Sequence, residues 1–141
     1  MAEQTMDTCV CMDLRSAARR LTEIYDSALA PSGITTPQFS QLHQIQALGT
    51  PTFKALSEAS GLDRSTLGRN IRVLEKLGLV DIAVGEDART RTIGVTKKGQ
   101  TAFRKAVPLW KGIQGEMKDS IGSEGRGQLT QLLGKLTGVT A

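Results

Sequence analysis

The chain is sparing with the residues that most often carry chemistry. Of its 141 residues only 4% are aromatic, and it has two cysteines and one histidine. Two cysteines are too few for a disulfide-stapled secreted scaffold. A single histidine, His43, comes with no phosphate-cradling glycine loop and no nucleophile elbow, so nothing points to an enzyme or to a cofactor. The one chemically sensible enzymatic version is a thiol peroxidase using Cys11. No run of about eighteen apolar residues occurs, which excludes a membrane-spanning helix. The opening "MAEQTMDT" has neither the basic start nor the apolar core of a signal peptide, so a cytoplasmic protein is expected.

With 39% hydrophobic residues in 141, the chain can bury one ordinary core, so residues 1–141 are read as a single domain. The net charge is +4 and the pI about 9.3. Such a balance means little until the excess is located on one surface.

From Met12 to Ala30, Leu14, Ala17, Ala18, Leu21, Ile24, Tyr25, Ala28 and Leu29 recur at three and four, with Arg15, Arg19, Arg20 and Glu23 between them. That spacing predicts an amphipathic helix, ended by "PSG". The stretch "TTPQFSQLHQIQAL" has a threonine cap, Pro37 in the first turn, and Phe39, Leu42, Ile45 and Leu48 on one side, which predicts a second helix.

The segment "TFKALSEASGLDRSTLGRNIRVLEKLG" is the most informative. A short helix with Phe53, Leu56 and Ala59 inward meets a turn at Ser60 and Gly61. A further helix follows, capped near Asp63, with Leu67, Ile71 and Leu74 inward. Two short helices about a glycine turn outline a helix-turn-helix. The second presents Arg64, Ser65, Thr66, Gly68, Arg69, Arg72 and Lys76 outward. A major-groove helix needs short polar groups for base edges and arginines that fork onto guanine or phosphate, and both are here. Next, "LVDIAV" and "RTIGVT" read as strands around "GEDARTR", a turn carrying Arg89 and Arg91. A hairpin directly after such a helix is a wing, whose arginines can reach a minor groove or phosphates.

From Lys97 to Ile121 a long helical pattern runs through Phe103, Val107, Trp110, Ile113 and Met117, and Pro108 within it predicts a kink. A final helix is capped by Ser123, with Leu129, Leu132, Leu133 and Leu136 as its stripe. The first and last helices would pack on each other and on a second copy, pairing two DNA-reading helices.

This order resembles the MarR family of bacterial transcription regulators, over about Cys11 to Leu136. The resemblance is carried by "GITTPQF", by "STLGRNIRVLEKLGLV" and by "GEDARTRTIGVTKKG". In the last, Asp87-Ala88-Arg89 matches the family's Asp-x-Arg, standing nine residues before a threonine that corresponds to Thr96. The resemblance implies a mainly α protein with a small β-hairpin wing. Dimerisation helices fall at about 9–33 and 97–141, around a winged helix-turn-helix lobe at about 34–96. It implies a homodimeric repressor on a pseudo-palindromic operator of double-stranded DNA, with Asp87 bracing Arg89 and Arg89 entering the minor groove. Ser65, Thr66 and Arg69 would address bases, and Arg64, Arg72 and Lys76 bases or phosphates, with Arg91 also on the wing. The family also implies a cleft for a small aromatic acid, here near Tyr25 and Phe39.

Cys9 and Cys11 remain. In the family's organic-hydroperoxide sensors the reactive cysteine precedes the isoleucine of an "IT" pair by twenty-three residues, and Cys11 precedes Ile34 by 34 − 11 = 23. Of the two tyrosines that hold the thiolate in those sensors, one is matched by Tyr25 and the other is replaced by Arg15. On a helix Arg15 shares a face with Cys11, and a nearby cation and the helix N-terminus both favour the thiolate that peroxides attack. Cys11 is therefore the candidate peroxidatic thiol and Cys9 its resolving partner. Both being helical, they would point about 200° apart, so a disulfide requires the first turn to unwind or a partner subunit's cysteine. Two alternatives stay open: inert packing residues, or a metal site joining the cysteines to His43 and Asp7 or Asp13.

Overall fold

The computed structural model describes residues 9–138. Five helices and one hairpin follow in order: α1 (Val10–Leu29), a 3₁₀ turn (Ala30–Ser32), α2 (Thr36–Leu48), α3 (Phe53–Ser60), α4 (Arg64–Lys76), β1 (Val80–Val84), β2 (Arg91–Val95) and α5 (Lys97–Thr137).

Each boundary has a local cause. Thr35 and Gln38 form a reciprocal capping box at the start of α2. Thr52 caps α3 by accepting from the Ala55 amide, and Gly61 closes it at φ 72°, a left-handed conformation that suits glycine. Asp63 caps α4 through the Thr66 amide at 2.7 Å. Thr96 caps α5 through the Gly99 amide, and its own hydroxyl donates to the Gly78 carbonyl, fixing α5 to the end of α4.

β1 and β2 pair antiparallel, Val80 opposite Val95 and Ile82 opposite Ile93. Thr52 bridges Thr92, so the start of α3 lies against β2 on the side away from β1. A buried Gly99 brings α5 close: a Cβ there would stand 2.1 Å from the Leu79 carbonyl oxygen.

The core collects Leu42, Ile45, Leu56, Leu67, Ile71, Leu74, Leu79, Val80 and Ile93 from the middle of the chain, with Leu29, Ala106 and Ile113 from the long helices. Phe39 stacks on Phe103 at 4.9 Å and near Trp110 at 5.9 Å, joining α2 to α5. The Asp26 carboxylate accepts the Thr36 amide at 2.7 Å, tying α1 to the first turn of α2.

Two expectations are corrected. Ala59 and Leu48 face solvent rather than the core, because each lies on the last turn of its helix, past the packed face. Helix α5 carries Pro108 within it, and its backbone leaves helical angles at Gly122, with φ 71° and ψ 170°, between the Lys97–Ile121 pattern and the final helix read from Ser123. Pro108 is exposed, so water can solvate the carbonyl it strands, while Phe103 and Trp110 anchor the helix on both sides. Helix α1 starts at Val10, leaving Cys9 as its extended N-cap at φ −75° and ψ 107° rather than a helical residue.

Candidate nucleic-acid interface

Helix α4 buries Leu67, Ile71 and Leu74 at three- and four-residue spacing, and this fixes its rotation. The opposite side therefore faces out, exposing Arg64, Ser65, Arg69, Arg72 and Lys76, with Thr66 and Gly68 half-buried. Its first turn is tied down before any partner arrives. Asp63 accepts the Thr66 amide, and the Ser65 hydroxyl donates to the same carboxylate oxygen at 2.9 Å. These bonds, the backbone one first and then those of Ser65 and Thr66, with a smaller Coulombic contribution from Arg69, hold the Asp63 carboxyl below its ordinary value. The Arg69 guanidinium reaches Thr66 Oγ1 at 3.5 Å, a long contact that inclines it toward the helix N-terminus.

The hairpin tip is rigid for its own reasons. The Asp87 carboxylate accepts the backbone amide of Arg89 at 3.0 Å, and its carbonyl accepts from Thr90. Asp87 thus braces the tip through the main chain, and among the described residues no ion pair joins it to the Arg89 guanidinium. The Arg89 side chain is exposed and Arg91 is the first residue of β2. The Arg91 guanidinium donates to the Ala88 and Thr90 carbonyls at 3.1 and 3.2 Å, buttressing the tip. Between α4 and the hairpin lies a groove of about 710 Å³, lined in part by Gly68, Arg72, Lys76, Val84 and Arg91.

The cysteines stand at the start of α1. Cys9 is half-buried and Cys11 exposed, both as free thiols. The Cys9 carbonyl accepts from the Asp13 amide at 3.0 Å, the first helical bond of α1. Arg15 is exposed, and no hydrogen bond joins it to Cys11 among the described residues. Tyr25 stands fourteen residues after Cys11, about 21 Å along the axis at 1.5 Å per residue, so it cannot touch the thiol of its own chain. Its hydroxyl donates to Gln114 Oε1 on α5 instead. That pair sits in a cleft of about 320 Å³ with Leu21, Met117, Ile121 and Arg126, and Phe39 is not part of it. His43 stacks on Phe103, and among the described residues no three His, Cys, Asp or Glu side chains group as metal ligands. Asp7 lies outside the described residues.

A profile of the MarR family matches residues 32–90, from the 3₁₀ turn to the hairpin tip. The transcriptional regulator MosR of M. tuberculosis, solved in complex with DNA, is 43% identical, with 88% of this chain and 92% of that one covered and a TM-score of 0.78. The chain belongs to the MarR family of transcriptional regulators. MosR solved by itself is 40% identical over 93% of this chain and 96% of that one, with a TM-score of 0.76. An HTH-type transcriptional regulator of Bacillus cereus is 26% identical over 88% of this chain and 83% of its own length. S. aureus MepR bound to DNA, at 20% identity, covers 92% of this chain and 96% of its own, and its TM-score of 0.80 shows the shared fold.

For a MarR-family chain, what matters is which residues the fold gathers. Arg72, Lys76 and Arg91 share one groove, and Arg64, Ser65 and Arg69 share the exposed side of α4. Tyr25, Arg15 and the cysteines are not gathered within one chain. The sequence reading missed Gln114, the partner of Tyr25. The pairing with Gln114 spans 89 positions, and no local pattern announces such a contact.

Proposed function

We propose that this MarR-family chain is a homodimeric repressor that binds a pseudo-palindromic operator in the cytoplasm, and that oxidation of Cys11 with Cys9 lowers its DNA affinity. The observation that carries the DNA reading is the basic groove between α4 and the hairpin, beside a helix whose polar face is already fixed. Ser65, Thr66 and Arg69 address base edges, Arg64, Arg72 and Lys76 bases or phosphates, and Arg89 the minor groove beyond the braced tip. The DNA complex of 43%-identical MosR supports this reading. The exposed leucines on the second half of α5 supply the dimer contact, setting two α4 helices roughly 34 Å apart.

In the redox step the Cys11 thiolate attacks an organic hydroperoxide, breaking its O–O bond to give a sulfenic acid and an alcohol. The Cys9 thiolate then displaces hydroxide, which leaves as water on protonation, and a disulfide forms. Cys9 is already outside the helix, so only Val10 and Cys11 must leave it for the bond to close. The protein reacts once per oxidation and does not turn over as an enzyme.

A second reading has its own support. The Tyr25 cleft combines an apolar floor with Arg126 and Lys118, a lining suited to a small organic acid as inducer.

The test is fluorescence-anisotropy titration of the DNA upstream of the gene. Organic peroxide should weaken wild type reversibly and spare Cys11→Ser. Arg69→Ala should lose sequence preference, and Lys76→Ala should flatten the salt dependence by about one unit of slope. If both basic variants bind like wild type, the helix assignment is wrong. A response that survives in Cys11→Ser moves control to the cleft.

A further inference from the structure

Gly68 has no purpose inside the chain. It sits in the interior of α4, where glycine is less favourable than any ordinary residue. Its backbone is in the ordinary helical region, so no left-handed turn requires it. A Cβ built there would meet nothing within 4 Å, unlike Gly99, whose Cβ would strike the Leu79 carbonyl. Neither conformation nor packing explains the bare position.

What Gly68 does face is the groove between α4 and the hairpin, whose lining includes Arg72, Lys76 and Arg91 and one carboxylate, Glu75. Arg64, Gly68 and Arg72 are four residues apart, so they share one side of the helix, with an exposed guanidinium about 6 Å along the axis on each side of the glycine. Two forked donors bracketing exposed backbone match a strand of phosphodiesters.

We propose that Gly68 is the point where the sugar–phosphate backbone of duplex DNA rests against α4, the missing side chain admitting the strand while Arg64 and Arg72 take the flanking phosphates. This rests on the DNA-binding reading and assigns a residue that reading does not use. Alanine at 68 keeps the free protein intact, improves helix propensity, and sets a methyl in the strand's path.

Two readouts should therefore move in opposite directions. Gly68→Ala should raise the thermal midpoint by about 3–6 °C. It should also weaken a duplex enriched by wild-type protein from a randomised pool by about tenfold or more, with a shallower salt slope. Gly68→Leu should weaken it further. Gly112→Ala is the control, since Gly112 is also helical and open but lies on α5 away from the groove; it should show the thermal gain with unchanged affinity. A Gly68→Ala protein that binds within twofold of wild type overturns the proposal, and so does one that is less stable, because the position would then be needed within the fold. Wild-type protein that enriches no duplex and shows no salt-dependent binding removes the DNA reading itself, and the proposal with it.

Discussion

The middle of the chain and its two ends use similar numbers of large apolar residues to opposite effect. Between Thr36 and Val95, Leu42, Ile45, Leu56, Leu67, Ile71, Leu74 and Ile93 are fully buried. On α1 and the far half of α5, Val10, Met12, Leu21, Ile24, Leu129, Leu132 and Leu136 all remain exposed, Leu132 to 57%. The helix-turn-helix lobe thus buries its apolar side chains, with Leu29, Ala106 and Ile113 of the terminal helices completing the core, while the outer stretches of those helices keep theirs in solvent. Large apolar residues left in solvent on two helices favour the proposed dimer contact. The DNA-reading groove can therefore be built by one chain, whereas the distance between two such grooves cannot.

The strongest way to break this contrast is to charge the open half. Leu132→Asp combined with Leu136→Asp should convert dimer to monomer in light scattering while the lobe keeps its helical circular dichroism. Operator affinity should fall by about a hundredfold or more, because the second half-site loses its effective concentration. A double variant that keeps the dimer mass would place the interface elsewhere.

The closed half should respond in another currency. Ile71 is fully buried, and Ile71→Ala should cost about 2–5 kcal/mol in denaturant unfolding through lost transfer energy and a residual cavity. If the lobe is self-sufficient, that cost will not depend on protein concentration. A cost that shrinks with dilution would mean that the lobe, too, is completed by the partner.

The same division decides what could be read without coordinates. Thr35, Asp63 and Gly61 act through neighbours two to four residues away, so the capping and the turn of the helix-turn-helix are visible in the order of residues alone. The hairpin and the outward basic face of α4 are legible for the same reason, being set by short-range periodicity. What escaped depends on contacts far along the chain. The stacking of Phe39 with Phe103 and Trp110, which joins α2 to α5, has no signature in the residues next to it. The Tyr25 hydroxyl donates to Gln114, 89 positions away, a pairing that no local pattern announces. Gly68 is legible as an outward position of its helix, but the open space over it is not.

The smallest expected effect concerns the cap that starts α4. The folded Asp63 carboxyl is held below its ordinary value of 3.8, chiefly by the Thr66 amide and then by the Ser65 hydroxyl. A depressed folded value means that the ionised form is the one bound. Its contribution is therefore fully present above the unfolded value and is lost as pH falls through the folded one. Asp63→Ala should accordingly be less stable than wild type at neutral pH, and the gap should narrow through the acid side of the ordinary carboxylate range, where wild type gives up the same bonds. Asp63→Asn keeps an acceptor oxygen, so it should recover much of the neutral-pH loss with no pH dependence of its own at this position. Thermal unfolding of the three proteins across that range separates the cases. A gap between Asp63→Ala and wild type that stays constant down to the lowest pH would show that the carboxylate's charge contributes nothing, and that the helix start is held by shape alone.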